Sequence, residues 1–362
     1  MNHHSKFEHV PTVQDGKNRI PLNSEFIANV KAVCILIVIL HPFLLFAADF
    51  PAGKLPPFIK KLIDYGERPD FSADGKRILF VTKTGGEVEE IDIKTREVRR
   101  ITSFPRSDSV GFYRALYLAN GDFLLTGGPA RRKCIFYILD KSLKRPPTVI
   151  SESVWEGPAV SRTRMRIAWT PDHALIRIAD VVYRDGVPEL SRIQTILDNS
   201  DIVVDGIRYH DLIEPQNFRP PLEEELIFSQ YGEGTIFTSE VFGLNLKTGR
   251  IVNYSKAPDQ YDEPEGIFPD GAWTLVECDR HNPKGTGFID IYMLKLDGSL
   301  ETRRLTHFAD VEGFRASNPV VRDDGRFMAF QEGRSADGPG VGHGIYLFDF
   351  KKAGIRVNQL KQ

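Results

Sequence analysis

The sequence predicts an all-β fold: a single β-propeller of six four-stranded blades, with seven as the alternative count. Three observations lead there. A turn-and-strand unit recurs along the chain, a second hairpin follows each first one, and no long segment carries the 3.6-residue apolar spacing of an amphipathic helix.

The recurring turn is an Asp-Gly or Asn-Gly pair that enters an apolar run. It stands at Asp74-Gly75 before Ile78-Leu79-Phe80, and at Asn120-Gly121 before Phe123-Leu124-Leu125. It returns at Asp270-Gly271 before Trp273-Thr274-Leu275-Val276, and at Asp324-Gly325 before Phe327-Met328-Ala329-Phe330. Such pairs favour tight hairpins because both residues tolerate positive φ. Degenerate copies occupy residues 161–169 and 221–228.

The second hairpin is clearest over residues 90–102, where apolar and polar residues alternate about a Lys94-Thr95 turn; its counterparts begin at Ile135, Val241 and Ile291. Two hairpins make a blade, and a spacing of roughly 40–50 residues is a propeller period. A degenerate unit around residues 180–215 would make the seventh blade. Two segments compete to close the ring: residues 355–360 and residues 58–65.

Composition agrees. The 24 Phe, 30 Gly and 23 Pro suit strands broken by turns. A net charge of -2 gives no basic footprint for nucleic acid. Of the three cysteines, Cys134 and Cys278 fall in separate expected strands and read as two buried thiols, with a single disulfide as the alternative. No CxxC, HExxH, phosphate-binding loop, nucleophile elbow or dinucleotide fingerprint is present, so neither a metal nor a cofactor is expected.

Ahead of the repeats lies the most apolar stretch of the chain, Ala32 to Ala48, preceded by Lys31. Its uninterrupted part is short for a membrane span and fits a signal-peptide core. Residues 1–48 are therefore assigned to a signal peptide or an N-terminal anchor, and residues 49–362 to the propeller. A periplasmic or secreted monomer is expected, touching a membrane only if that segment is uncleaved.

The strings FSADGKRILFVT with EIDIKTREVRRIT, and FPDGAWTLVE with IDIYMLKLDGSLETRRLT, resemble the TolB-like (WD40-like) β-propeller repeat. The resemblance covers about residues 66–350 and is sharpest in the first and fifth units. It implies the propeller fold and an exported compartment, not a reaction. TolB itself carries a separate α/β domain before its propeller, whereas only residues 49–66 stand between the export segment and the first blade here. Some exported propellers of this repeat type resemble oligogalacturonate lyases, which hold a metal with clustered histidines. At the blade start where that cluster would be sought, this chain reads Ser317-Asn318-Pro319.

Loop length orients the expected site. The first-to-second and third-to-fourth strand turns are short. Residues 127–133, 279–287 and 332–343 form long loops on the opposite face, where function gathers on a rigid scaffold. Aligned blades bring a polar residue, usually before proline, to the entry of each innermost strand: Arg68, Arg114, Glu156, Glu214, Glu263 and Asn318. They read either as a mixed-charge ring that holds a ligand or as strand-start caps paired with one another. Arg280 and His343 join them as ligand-binding candidates. Alternation places Glu263 with Glu265, and Glu277 with Asp279. Beside His281, the carboxylates Glu263, Glu265 and Asp279 are the candidates for general acid and base. The run Arg131-Arg132-Lys133 reads as a solvated loop.

Two functions follow. One is a binding module for an envelope protein or glycan. The alternative is a carbohydrate-active lyase or hydrolase, oligogalacturonate-lyase-like, with its acid and base at the propeller mouth.

Overall fold

Six four-stranded antiparallel sheets stand around one channel in a computed structural model that describes residues 55–107, 110–155, 157–233 and 236–355. The innermost strands of blades 1 to 6 are Glu67–Phe71, Gly111–Tyr117, Ala159–Val160, Ile213–Phe218, Asp262–Ile267 and Phe314–Val321. Helix among the described residues is confined to three 3₁₀ turns at Asn199–Asp201, Thr286–Phe288 and Phe308–Asp310. The all-β, six-bladed reading therefore holds.

The four Asp-Gly and Asn-Gly turns are where the repeats placed them. Gly75, Gly121, Gly271 and Gly325 all take positive φ, and each donates its N–H to the carbonyl three residues back at 2.7–2.8 Å. Only glycine adopts that conformation without a steric penalty from Cβ.

The seventh blade is absent among the described residues. The region around 180–215 is instead a long hairpin, Leu175–Arg184 with Val187–Asp198, which forms the outer half of blade 3. A separate two-stranded hairpin follows, Ile202–Val204 with Ile207–Tyr209. The ring closes through the earlier segment: Ile59–Ile63 pairs antiparallel with Ile345–Asp349 and becomes the outermost strand of blade 6. The competing residues 356–360, like the export segment, lie outside the described residues.

The core lies between blades. Leu79 and Val81 of blade 1 pack on Phe112, Ala115 and Leu125 of blade 2. Phe136 and Ile138 meet Ile167 and Trp169 of blade 3. Phe71, Ile78 and Phe80 close the seam against Ala329 and Ile345 of blade 6. Each of the buried valine, leucine, isoleucine and phenylalanine side chains contributes about 1.5–3 kcal/mol. Cys134 and Cys278 are buried free thiols, as expected.

Candidate functional site

Propellers aim residues at their channel by where the innermost strand begins, and here that start is irregular. The register slips in blade 1 between Glu67 and Asp70, and in blade 2 between Phe112 and Arg114. It slips again in blades 4, 5 and 6, between Pro215 and Asn217, Pro264 and Gly266, and Ser317 and Val320. Proline has no N–H to give the ladder, so a bulge is its natural place in a strand. Arg68 and Asn318, each before a proline, take left-handed φ of 55° and 47°. Such a conformation costs on the order of 1–2 kcal/mol per residue. Each strained N–H is held by the preceding blade. That of Arg68 donates to Gln331 Oε1 and that of Asn318 to Glu277 Oε1, both at 2.6 Å.

These bulges converge on a pocket of about 250 Å³ at the long-loop face. Arg68, Arg114, Glu214, Glu263, Glu265 and Asn318 line it, so five of the six ring residues meet as the aligned blades require; Glu156 lies outside the described residues. The ring is partly a binding surface and partly self-paired. Arg114 bridges to Glu265 at 3.1 Å, linking blade 2 to blade 5, and Arg68 donates to the Tyr113 carbonyl at 2.6 Å.

The structure parts company with the sequence over Asp279, Arg280, His281 and His343, none of which lines the pocket. Asp279 stands beyond the end of its strand, so alternation no longer governs it. Its carboxylate accepts the N–H groups of Tyr261 and Gly285 at 2.9 and 2.8 Å and shapes the loop. Arg280 pairs with buried Asp262. His281 contacts Tyr292 Oη at 3.1 Å, and burial, followed by the nearby Arg304 guanidinium, holds its pKa below the ordinary value. His343 pairs with Asp337 at 2.6 Å. Of the acid and base candidates, only Glu263 and Glu265 remain at the pocket.

Sequence reasoning missed a wall and a patch. Trp155, His173, Tyr231, Phe237 and Tyr261 make an aromatic side. Trp155 and His173 meet edge to face at 4.3 Å, while Tyr231 and Phe237 stack at 5.2 Å. Tyr261, like Asp279, stands just outside its strand. The others arrive from separate strands and loops. Arg132 and Lys133 are exposed, as a solvated loop requires, but Arg131 and Arg132 also line the pocket, Arg131 donating to the Pro339 carbonyl at 3.0 Å and Arg132 lying 4.7 Å over the Trp155 ring.

The pocket is electrically divided. Arg68, Arg114, Arg131 and Arg132 come from blades 1 and 2, and Glu214, Glu263, Glu265 and Glu277 from blades 4 and 5. Burial, then the carboxylates of Glu265 and Glu214, push Glu263 up to about 8, against the pull of phenol donors Tyr231 and Tyr261. Burial, then Glu263 and Glu265, raise Glu277 well above its ordinary value. Both tyrosines are raised in turn, chiefly by burial, and stay protonated donors.

No protein-family model and no curated protein matches this chain. Solved propellers do. One is the putative TolB of Agrobacterium tumefaciens, at 16% identity over 75% of this chain and 86% of that one, with a TM-score of 0.48. Another is a Xanthomonas campestris protein described as a gluconolactonase, at 13% identity over 80% and 89%, with a TM-score of 0.50. A third is an oligogalacturonate lyase in complex with manganese, at 13% identity over 78% and 77%, with a TM-score of 0.47. Likeness at this level concerns the fold alone. TolB-like and other propellers are this chain's structural neighbours, in keeping with its repeats.

Proposed function

We propose that this propeller is an exported binding module, periplasmic or secreted, whose mouth pocket holds a polar peptide or glycan segment of the cell envelope. The observation that carries the reading is the convergence of Arg68, Arg114, Glu214, Glu263 and Asn318 on one pocket, with aromatic faces beside them. Aromatic rings give contact area at little entropic cost, and a few placed polar groups fix orientation. The apolar stretch from Ala32 to Ala48 supports export.

The test is capture of envelope peptides and glycans by the full chain, repeated with Arg114→Ala and Glu214→Gln. Ligands taken by the wild type should bind at least tenfold more weakly to both variants. Equal capture by all three proteins would put the binding surface elsewhere.

One observation favours a second reading, a carbohydrate-active lyase or hydrolase. Glu263, pushed up to about 8, keeps its proton at neutral pH beside Glu265, the arrangement a general acid requires. Turnover on a glycan that Glu263→Gln abolishes would establish it; turnover unchanged in that variant would remove Glu263 from any such role.

A further inference from the structure

We propose that the acidic side of the mouth pocket is a seat for one primary ammonium group, and that the ligand bringing it is a peptide. The proposal rests on the binding reading above and narrows it.

Glu263, Glu265 and Glu277 each offer a carboxylate oxygen, and these oxygens lie within 4.8 Å of one another. A cluster of acids can be no more than structural, but one member is a carboxyl where the fold needs only a neutral acceptor. Glu277 accepts the strained N–H of Asn318 at 2.6 Å. Gln331 stands the same distance past its turn glycine and accepts the equivalent N–H of Arg68 at the same 2.6 Å. A neutral amide therefore performs this task in blade 6. In blade 5 a carboxylate does it, deeply buried and against the cost of desolvation.

The second observation is the Asn318 side chain, which is 8% exposed and lines the pocket. Its Nδ2 donates to Glu265 at 2.9 Å and to Glu277 at 3.1 Å, while its Oδ1 has no hydrogen-bond partner among the described residues. A buried acceptor left open beside three carboxylates calls for a donor from outside.

An –NH3⁺ group suits this set, presenting three N–H donors from one point charge. A guanidinium is a flat fork that seeks paired oxygens, and a quaternary ammonium has no N–H at all. A hard divalent ion would ask for six to eight oxygens. Here the carboxylates already accept from Arg114, Asn318, Tyr231 and Tyr261, which favours another N–H donor over a bare ion. Across the pocket, the exposed Arg132 offers a place for an anion. A peptide carries both charges on one short chain, whereas a simple amino sugar brings only the ammonium.

The experiment is calorimetric titration of the full chain with N-acetyl-glycyl-lysine, which has one ammonium and one carboxylate, and with the same peptide acetylated on the lysine Nζ. The first should bind, and the second should bind at least tenfold more weakly. Glu277→Gln, whose fold Gln331 shows to be attainable, should weaken the first peptide to a similar extent. Equal affinity for the two peptides overturns the ammonium seat without needing any variant. Tighter binding of glucosamine than of the peptide overturns the peptide, and calcium or manganese ions that bind one to one and require Glu277 overturn it in favour of a metal. If the peptides fail while a neutral glycan binds and is lost in Arg114→Ala, the pocket reading stands alone. If no ligand responds to Arg114→Ala, both readings fall.

Discussion

At the short-turn end of the channel, Arg162 reaches from blade 3 across to blade 1, where its guanidinium donates to Asp70 at 2.7 Å, and lies 3.7 Å from Asp323 of blade 6. Asp70 also accepts the backbone N–H of Tyr117, so four blades are tied by one cation and its carboxylates. At the long-loop end, Arg114 likewise crosses the channel to Glu265, but Glu263, Glu277 and the open Asn318 Oδ1 stand beside that bridge. Opposite charges at the first end answer one another. At the second, three carboxyl groups crowd within 4.8 Å of one another and lean largely on the neutral donors Asn318, Tyr231 and Tyr261. The same repeat yields a structural clamp at one mouth and an incompletely satisfied pocket at the other, and that incompleteness marks where a ligand belongs.

The contrast predicts opposite responses to mutation, and the largest is at the clamp. Arg162→Ala leaves Asp70, which is almost wholly buried, without its cation. Stability should fall by about 3 kcal/mol, the usual consequence of removing one partner of a buried pair. Urea denaturation followed by circular dichroism measures it. Loss below about 1 kcal/mol would mean that Arg162 is a solvated surface pair and that the two mouths do not differ in kind.

At the other mouth, removing charge should stabilise. A carboxyl whose folded-state pKa is raised contributes fully below its unfolded value of 4.5 and loses that contribution as pH climbs through about 8. Wild-type stability should therefore decline from pH 5 to pH 9 through the Glu263 and Glu277 cluster. Glu277→Gln should match the wild type near pH 5 and exceed it at pH 9. Parallel stability curves for the two proteins would show the cluster to be at ease with its charge. A gain in stability joined to a loss of peptide binding is the trade expected of a site held in strain for function.

The difference between the two ends also decides what the sequence could reveal. Turn chemistry is local, so Asp74-Gly75 and its three counterparts gave away the hairpins and, by counting, the blades. The residues before the bulged prolines were legible because four of the six blades, 1, 4, 5 and 6, repeat them at one place. Trp155, Arg131 and Arg132 were not, because they come from loops with no common period and meet only when the ring closes; nor was Phe237, the first residue of its strand. Ring closure itself was ambiguous: residues 58–65 and 355–360 both look like edge strands, and only pairing with Ile345–Asp349 separates them. Asp279 and His281 misled for a related reason. Alternation describes a strand, and both stand past the end of Trp273–Cys278.

The smallest expected effect tests that last point. His281 sits between Tyr292, 3.1 Å from its Nδ1, and Asp290, 3.7 Å from its Nε2. Asp290 does not depend on it, since Arg304, Thr306 and the Phe308 N–H donate to that carboxylate at 2.6, 2.7 and 2.9 Å. His281→Ala should then cost at most about 1 kcal/mol, the value of one ordinary hydrogen bond. It should also leave affinity for N-acetyl-glycyl-lysine, and any glycan turnover, within twofold of the wild type. His343→Ala, whose partner Asp337 lies on a half-exposed loop, should change stability by no more than about 0.5 kcal/mol. A tenfold loss of binding in His281→Ala would draw the rim loop 279–287 into the site and enlarge the working mouth beyond the ring of bulges, because Tyr292 and Asp290, the partners of His281, do not line the pocket.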